Sequence, residues 1–310
     1  MEQPRAAHDL IGAEGLSPNG LRRAVEDGEL DRVRRGVYAP HRDLDLRSRH
    51  LRLLTATLPL LGAGSILSHA SAAVVHGLPV RQDLLDRVWV TRPGAGHGRR
   101  GPVVQLRRCT LEAVDVALVN GFPVTTLART ASDLARQLPY EWAVIGCDAA
   151  LAAGCSREAL LEATQRVQGW PGGRKAASAS RFADGASGSP AESLSRVQMQ
   201  RAGIPTPVTQ FKVFLNGRLV ATTDFGWEDT GLVGECDGKV KYGELLRQGE
   251  TAEDAVMREK RREELIREAG YWIARWGWQE ACDQAELARI VRRGIELAPG
   301  RRPTRDRRSA

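Results

Sequence analysis

The stretch from 211 to 241 constrains the fold more than any other, because it reads as three short strands joined by two tight turns. Asn216 and Gly217 predict the first turn, since both residues tolerate the positive φ that a type I′ hairpin requires. A second turn at 228–231 leads into an apolar run that two acidic residues interrupt, Leu-Val-Gly-Glu-Cys-Asp-Gly-Lys-Val. The position of those acids is the unusual feature of the stretch.

These acids share one face of the third strand. Side chains alternate between faces along a strand, so Glu235, Asp237 and Lys239 point to the same side. A two-residue loop at 229–230 places Asp224 opposite Glu235, whereas a loop at 230–231 places it opposite Asp237. Facing carboxylates repel each other, and their oxygens suit Mg²⁺ or Mn²⁺, so the pattern predicts a metal site. The alternative is a solvated polar face on a half-exposed hairpin.

Composition is that of an ordinary globular chain with a basic bias. At 310 residues, two or three domains are expected. Hydrophobic residues make up 42% and charged residues 27%, as is typical of a soluble protein. The formal net charge of +7 favours a polyanionic partner. The segment 301–308 supplies +4 of this charge, from five Arg and one Asp.

Cysteine spacing and hydropathy exclude several classes of protein. The five cysteines are scattered and include no CxxC pair, which argues against a disulfide framework or a zinc ribbon. The first residues lack an apolar signal core, and no stretch approaches the roughly 18 apolar residues of a membrane span. We therefore expect a cytoplasmic protein that makes no contact with a membrane.

Residues 1–45 predict a winged helix-turn-helix. Ser17 and Pro18 are a helix-start signal, and the helix that follows ends at Gly28. Arg35 and Gly36 then separate two strand-like runs into a basic hairpin. The candidate DNA-contacting residues are Arg22, Arg23, Arg32, Arg34 and Arg35. The alternative is a small helix-hairpin module whose arginines form a solvated face.

The middle segment, 46–170, predicts an α+β domain, with helices at 46–61, 140–153 and 156–168 and a strand at 86–94. Ser68, His69 and His76 raise the question of catalysis, but no acid or nucleophile elbow accompanies them, so they are assigned to the fold. The segment that follows is rich in Gly, Ser and Ala. It predicts a linker at 171–190, or else a weakly packed helix between two loops.

The last folded segment, 191–297, predicts the element order αβββαβ. Ser189 and Pro190 open its first helix, which ends at Gly203. After the three strands, a charged helix runs from Thr251 to Gly270, followed by a strand and a last helix at 279–297. Residues 298–310 form a basic tail that we expect to be disordered. The predicted fold class is thus a multidomain α/β protein.

The N-terminal half resembles the AbiEi-type antitoxins. The similarity lies in four pieces: GELDRVRRGVYAP at 28–40, SHASAAVVHGLP at 68–79, VWVTRPG at 88–94 and VTTLARTASDLAR at 124–136. In that group the first domain is a winged helix, and the second serves interaction or regulation and is not catalytic. The resemblance implies that Arg129 and Asp133 belong to the signature of the second domain and not to an active site.

The segment 190–280 resembles the PD-(D/E)XK nuclease superfamily, and more narrowly the endonuclease-like domains related to very-short-patch-repair enzymes (domain of unknown function 559). The resemblance rests on the αβββαβ order, an acid on the second strand and Glu-x-Asp-Gly-Lys at 235–239. It implies that one or two Mg²⁺ (or Mn²⁺) ions are held by Asp224 with Glu235 or Asp237. It also implies that Glu192 is the acid of the first helix, whose other interpretation is a helix-capping group.

The same resemblance suggests how water is activated. Many of these relatives carry a histidine where this chain has Lys239 and Lys241, which leaves the general base open. Lys239, or failing it Lys241, would position the nucleophilic water or stabilise charge. On the charged helix, the residues that would track a DNA backbone, or else form i,i+4 pairs on a solvated face, are Arg258, Lys260 and Arg261.

Two functions follow from these resemblances. The first is a metal-dependent DNA endonuclease that hydrolyses phosphodiester bonds and carries an N-terminal DNA-binding module. The alternative is a non-catalytic DNA-binding regulator of antitoxin type with a decayed nuclease fold. DNA is the expected partner in both cases. A second copy of the chain, or a partner toxin or defence protein, is left open.

Overall fold

The N-terminal elements form a helix-turn-helix followed by a hairpin. In the computed structural model, which describes residues 3–237 and 251–300, these elements are β1 (Arg5–Ala6), α1 (Ala7–Glu14), α2 (Pro18–Glu26), β2 (Leu30–Arg34) and β3 (Val37–Pro40). The strands pair antiparallel in the order β1-β3-β2. Ser17 caps α2 by accepting a hydrogen bond from the backbone N–H of Gly20 at 3.0 Å, with Pro18 in the first turn. The predicted order of elements is confirmed.

A six-stranded mixed sheet organises the middle of the chain. The elements in this stretch of the chain are α3 (Leu46–Thr57), β4 (Ile66–Leu67), α4 (His69–His76), β5 (Val88–Pro93), β6 (Arg99–Arg100), β7 (Val104–Cys109), β8 (Val116–Val119), β9 (Phe122–Thr125), α5 (Leu127–Gln137), α6 (Tyr140–Ala152), α7 (Arg157–Arg166) and α8 (Gly173–Phe182). The strand order is β6-β7-β5-β4-β9-β8. The β5-β7 and β4-β9 pairs are parallel. A core of Leu54, Leu67, Val88, Val90 and Val124 packs against this sheet.

A buried ion-pair network stabilises the same region. Arg129 on α5 is 2% exposed, and its guanidinium lies 2.8 Å from Asp115 and 3.0 Å from Asp133. Arg166 on α7 reaches the second oxygen of Asp115 at 2.8 Å. Every charge at the centre of this network is therefore paired, as buried charges require. Asp115, in the segment before β8, thus joins Arg129 of α5 and Arg166 of α7, whereas Asp133 pairs with Arg129 within α5.

The Gly-, Ser- and Ala-rich segment contains a helix, α8, and is not a linker. This helix is well packed, whereas the prediction was of a weakly packed one. Ala176, Ala179 and Ser180 of α8 are buried, because small side chains let helices approach closely. The division of contacts also differs from the predicted boundaries. Unit 1 comprises Met1–Leu138 and Ala153–Arg181, and unit 2 comprises Pro139–Ala152 and Phe182–Ala310. Helix α6 therefore groups with the C-terminal elements.

Unit 2 has the predicted αβββαβ order. Its elements after α6 are α9 (Pro190–Arg201), β10 (Val208–Leu215), β11 (Arg218–Trp227), β12 (Leu232–Asp237), α10 (Ala252–Glu268), β13 (Trp272–Gly277), α11 (Trp278–Cys282) and α12 (Gln284–Leu297). The strand order is β10-β11-β12-β13, with the last pair parallel. Asn216 and Gly217 have φ of 51° and 78°, as the predicted hairpin turn requires. The chain is thus a mixed α/β protein of several domains.

The last predicted helix is in fact two. Asp283 has φ −106° and ψ 105°, which ends α11, and its carboxylate accepts hydrogen bonds from the backbone N–H groups of Ala285 and Glu286 at 2.9 and 3.1 Å. An aspartate that caps a new helix in this way competes with continuation of the previous one. The prediction of one helix from 279 to 297 was therefore wrong at this residue.

Hydrophobic clusters cover both faces of the unit 2 sheet. Leu232 and Val233 are consecutive on β12, so they point to opposite faces. Leu232 belongs to a cluster with Trp276 and Leu287, whereas Val233 belongs to a cluster with Ile266 of α10. The fold therefore fixes β12 in the middle of two cores. The acids at its carboxyl end are positioned by that packing.

Candidate functional site

Helix α2 presents two arginines to solvent. It buries Leu21 and Ala24, and the opposite face exposes Arg22 and Arg23. Nε of Arg22 lies 3.3 Å from a carboxylate oxygen of Glu26, four residues further along the helix. A pair of this exposure contributes little to stability and exchanges readily for another anion. Both arginines therefore remain accessible on the surface of α2.

The hairpin contributes two more exposed arginines. Arg32 lies on β2, and Arg35 lies in the turn with Gly36, whose φ is 74°. Within residues 3–237 and 251–300, Arg23, Arg32 and Arg35 have no carboxylate partner. Their guanidinium groups are thus available to an external anion.

Arg34 has a different role from the other predicted arginines. Its Nε donates a hydrogen bond to the backbone oxygen of Ala56 on α3 at 2.9 Å. Close by, Asp31 accepts a hydrogen bond from Arg52 at 2.8 Å and lies 2.8 Å from Nδ1 of His41. Burial alone would raise the pKa of Asp31, but these contacts and the one from the Arg42 backbone lower it. Arg34 and Asp31 hold the hairpin against α3.

Asp224 and Glu235 are neighbours across β11 and β12. Phe225 pairs with Gly234, so the next positions along the two strands are Asp224 and Glu235. This is the first of the two registers that the sequence left open, although the connecting loop is four residues, 228–231. Oδ2 of Asp224 accepts a hydrogen bond from the backbone N–H of Cys236 at 2.7 Å.

The carboxyl group of Asp224 is held in unfavourable surroundings for its charge. Burial raises its pKa to about 6; the hydrogen bond from Cys236 opposes the rise, and the nearby charges of Glu192 and Glu235 add to it. Glu192 and Glu235 therefore lie close enough to Asp224 for their charges to act on its carboxyl group. A group that titrates near neutral pH at such a place is a candidate functional residue.

Glu192 lies in the first turn of α9 and is 6% exposed. Its Oε2 accepts a hydrogen bond from the backbone N–H of Gly188 at 2.8 Å and another from Nε2 of Gln210 at 3.2 Å. The capping interpretation of this residue therefore describes its contacts. Its proximity to Asp224 is an additional property that the capping role does not require.

Glu235 is enclosed by two arginines. It is 8% exposed, its Oε1 accepts a hydrogen bond from Arg262 of α10, and its Oε2 lies 3.0 Å from Nε of Arg275 on β13. The same arginines reach Glu259, at 3.1 Å from Arg262 and 2.9 Å from Arg275. Arg275 also lies 3.4 Å from Glu263. Glu235 is thus neutralised by cations of the protein itself.

Sequence reasoning missed Arg275. The signal was a charged residue inside the apolar strand Trp-Ile-Ala-Arg-Trp-Gly, on the face that alternation gives to the acids of the next strand. Arg275 is paired in register with Glu235, and that register cannot be read from the sequence because a helix and a long connection separate the two strands. Arg262 lies on the charged helix whose arginines were expected to contact DNA or to form i,i+4 pairs, and its contact with Glu235 on β12 was not predicted.

Asp237 is exposed at the end of β12 but belongs to this centre: burial and the charge of Glu235 raise the pKa of its carboxyl group, and Arg275 and Arg262 oppose the rise. Lys260 and Arg261 are exposed on α10, where Arg258 is half-buried. Lys239 and Lys241 lie outside the described residues. Their proposed part in positioning water therefore remains a prediction.

Two of the acids near Asp224 are already engaged by groups of the protein itself. Both oxygens of Glu235 are occupied by guanidinium groups, and Glu192 is engaged by Gly188 and Gln210. Among the residues that the structure describes, no group of three or more His, Cys, Asp and Glu side chains is arranged to hold a metal ion. Carboxylates bound in this way have few lone pairs left for a metal.

The cysteines and the hydropathy of the helices were also considered in the sequence. Each of the five cysteines is a free thiol. In the described part of the chain, none of the helices has the length and apolar character needed to cross a membrane.

Comparison with known proteins gives two findings. Residues 9–41 match the family described as "Transcriptional regulator, AbiEi antitoxin". This match spans α1, α2 and the β2-β3 hairpin, and it includes all five candidate arginines of the N-terminal segment. Two proteins of Mycobacterium tuberculosis strains, the uncharacterized proteins MT2308 and Rv2248, are each 30% identical to the chain over 253 residues. The alignment covers 77% of this chain and 90% of each relative. The chain therefore belongs to the same protein family as these two mycobacterial proteins.

Proposed function

We propose that the protein is a DNA-binding transcriptional regulator of antitoxin type. The observation that carries this proposal is the coincidence of the family match, residues 9–41, with the segment that folds into α1, α2 and the hairpin. In a winged helix-turn-helix, the second helix enters the major groove and the hairpin contacts the sugar-phosphate backbone. Helix α2 and the Arg35 turn occupy the equivalent positions in the chain.

The arrangement of charge supports binding more than its total does. The first 45 residues contain seven arginines and nine Asp or Glu residues, so net charge alone gives no attraction to DNA. Some of these acids are engaged within the protein, as Asp31 is by His41 and Arg52. The exposed arginines without a carboxylate partner cluster on one helix and one hairpin. Such guanidinium groups bind phosphates by releasing condensed counterions.

Unit 2 supports a non-catalytic role in this proposal. In PD-(D/E)XK nucleases, acids at these positions hold a metal, whereas here Arg262 and Arg275 neutralise Glu235. An acidic centre stabilised by its own arginines can keep the fold intact without metal. We propose that this unit contacts a partner toxin, a defence protein or a second copy of the chain. A DNA partner would place the protein in the cytoplasm.

Fluorescence anisotropy with DNA duplexes in EDTA tests the proposal. The wild type is expected to bind duplex DNA with a strong salt dependence. The triple variant Arg23→Ala/Arg32→Ala/Arg35→Ala is expected to bind more weakly, and the slope of log K against log salt should fall by about 1 for each phosphate that no longer faces an arginine. Arg289→Ala, on the exposed surface of α12, is the matched control and is expected to behave as wild type. Equal affinity of the triple variant and the wild type would contradict the assigned interface.

A second candidate function is metal-dependent hydrolysis of DNA. The observation that favours it is the convergence of Glu192 and Glu235 on Asp224. A divalent cation would have to displace the arginines from Glu235. The test is cleavage of supercoiled and single-stranded DNA in Mg²⁺ or Mn²⁺ by the wild type and by Asp224→Ala. Cleavage by the wild type alone would establish this function.

A further inference from the structure

Unit 1 contains a cavity that the proposed DNA interface does not use. Its volume is about 710 Å³, and it lies between the glycine-rich loop at 94–96, the end of β7, helix α5 and the loop at 170–172. Cavities of this size accommodate a drug- or cofactor-sized molecule. Its walls come from several elements of one unit, so the cavity is a property of that unit alone.

The rim of the cavity is cationic. Arg107 and Arg108, at the end of β7, line it and are exposed. In the part of the chain that the structure describes, neither has a carboxylate partner. Asp133 also lines the cavity, but both of its oxygens are taken, by Arg129 at 3.0 Å and by Arg136 at 3.3 Å. The uncompensated charge at this surface is therefore positive, which favours an anion.

One wall is aromatic and rigidly held. The guanidinium groups of Arg129 and Arg136 lie 5.3 and 4.8 Å from the centroid of the Trp170 ring, and Nε of Arg136 donates a hydrogen bond to the oxygen of Pro171 at 3.1 Å. These contacts hold the indole in place, and Trp170 lines the cavity and is half-buried. A fixed aromatic surface suits a planar ring.

A histidine adds a neutral polar group. His69 lines the cavity, has φ 49°, and stacks on Trp89 with a centroid distance of 5.5 Å. Its Nδ1 contacts the hydroxyl of Ser68 at 3.0 Å, and its Nε2 has no hydrogen-bond partner among the described residues. Burial lowers the pKa of His69 to about 4, so the imidazole is neutral at physiological pH. A residue in this backbone conformation is uncommon and is often found at functional sites.

We propose that this cavity binds a small phosphate-bearing molecule with a planar ring, of the nucleotide class. The phosphate would lie against Arg107 and Arg108, and the ring would lie against Trp170. The neutral imidazole of His69 would offer one hydrogen-bonding group to the ring or sugar. This inference does not depend on the proposed regulator function, since the cavity and the α2-hairpin surface share no residue.

Isothermal titration of the full chain with inorganic pyrophosphate and with ADP tests the proposal. Both probes are expected to bind, and Arg107→Ala/Arg108→Ala is expected to weaken both by at least about tenfold. The matched control is Arg99→Ala/Arg100→Ala, which removes two exposed arginines from the neighbouring strand β6 and is expected to leave both affinities unchanged. Since all four side chains are exposed, circular dichroism should report a folded protein in each case. Failure of both probes at millimolar concentration would overturn the proposal.

A variant of Trp170 tests where the ring of the ligand lies. Trp170→Leu is expected to weaken the binding of ADP several-fold and to leave the binding of pyrophosphate unchanged. Equal effects on the two affinities would overturn the assignment of the ring to Trp170.

The phosphate that binds at this cavity could also come from the DNA backbone. If a short duplex displaces ADP and loses affinity in Arg107→Ala/Arg108→Ala by the same factor as ADP, the small-molecule proposal is wrong.

Discussion

Glu235 and Arg275 occupy paired positions on the adjacent parallel strands β12 and β13, with Nε of Arg275 3.0 Å from Oε2 of Glu235. This pair lies where the nuclease resemblance predicts a metal ligand. A guanidinium here supplies the positive charge that a cation would otherwise supply, and it does so permanently. The stability of unit 2 should therefore depend on arginine and not on divalent metal.

Arg275→Ala should destabilise the protein because it leaves part of the Glu235 charge uncompensated. Breaking a fully buried pair costs about 3–5 kcal/mol, and solvent screening of this partly exposed arginine reduces the expected loss to about 1–3 kcal/mol. Urea denaturation monitored by circular dichroism measures the change. Addition of Glu235→Gln to the variant should restore part of the loss.

The control for this prediction is Arg289→Ala. Arg289 forms an exposed pair with Glu286 on α12, at 2.6 Å, and its removal should leave the unfolding free energy close to that of the wild type. Equal losses of unfolding free energy in the Arg275 and Arg289 variants would mean that Glu235 does not depend on Arg275 for charge compensation.

Stability should fall as the pH rises through the titration of Asp224. Its pKa is raised from 3.8 to about 6 in the folded protein, so between these values the folded state binds more protons than the unfolded state. The unfolding free energy then decreases with pH, by at most about 3 kcal/mol in total from this group. The effect is complete once the pH exceeds the folded pKa.

Asp224→Asn removes this titration and isolates its effect. Relative to wild type, the variant should be more stable at pH 7.5 and gain less at pH 4.5, because the wild-type carboxyl is then largely protonated when folded. Chemical denaturation at the two pH values is the measurement. A stability difference that does not change between them would contradict the raised pKa.

Local chemistry in the sequence determined much of what could be predicted. Ser17, Thr251 and the Asn216-Gly217 turn act through hydrogen bonds and φ preferences within a few residues, and the elements that they begin or join are present. The sequence left two registers open for β11 on β12, because the turn between them could be placed at 229–230 or at 230–231. The first of these registers is the one observed.

Long-range pairing determined what could not be predicted. Arg275 meets Glu235 only because α10 returns the chain parallel to β12, and no local pattern fixes that register. The close packing of α8 could not be predicted from its composition. Alanine and serine give a weak hydrophobic pattern, although their small side chains pack closely. Asp283 lies in a stretch with the composition of a continuous exposed helix, although this residue caps α12.

Arg129→Leu should cost about 3–5 kcal/mol, since it leaves two buried carboxylates, Asp115 and Asp133, without their shared cation. Thermal unfolding followed by calorimetry reports the loss. Addition of Asp115→Asn and Asp133→Asn should recover part of it. Arg81→Ala, which breaks an exposed pair with Asp83, is the control and should have little effect.

Gly226→Ala should destabilise unit 2 by steric overlap. A Cβ atom at this position would lie 2.1 Å from Cγ of Phe211 on the neighbouring strand. Relief requires displacement of the ring or the strand, at about 1–3 kcal/mol. The double variant with Phe211→Leu should lose less than the sum of the two single variants.

The control for this substitution is Gly12→Ala. Apart from the backbone of its own helix and its chain neighbours, no atom lies within 4 Å of a Cβ at Gly12, and the residue is in α1, so the change should be neutral or stabilising by up to about 1 kcal/mol. Destabilisation by both substitutions would indicate a general intolerance of alanine and not the Phe211 contact.

Binding of DNA through α2 and the hairpin without metal is tested most directly by measuring duplex binding in EDTA as a function of salt. We predict salt-dependent binding by the wild type and by Asp224→Ala, and a weaker, less salt-dependent interaction in Arg23→Ala/Arg32→Ala/Arg35→Ala. The contradicting result is no duplex binding in EDTA, together with Mg²⁺-dependent DNA cleavage that Asp224→Ala abolishes.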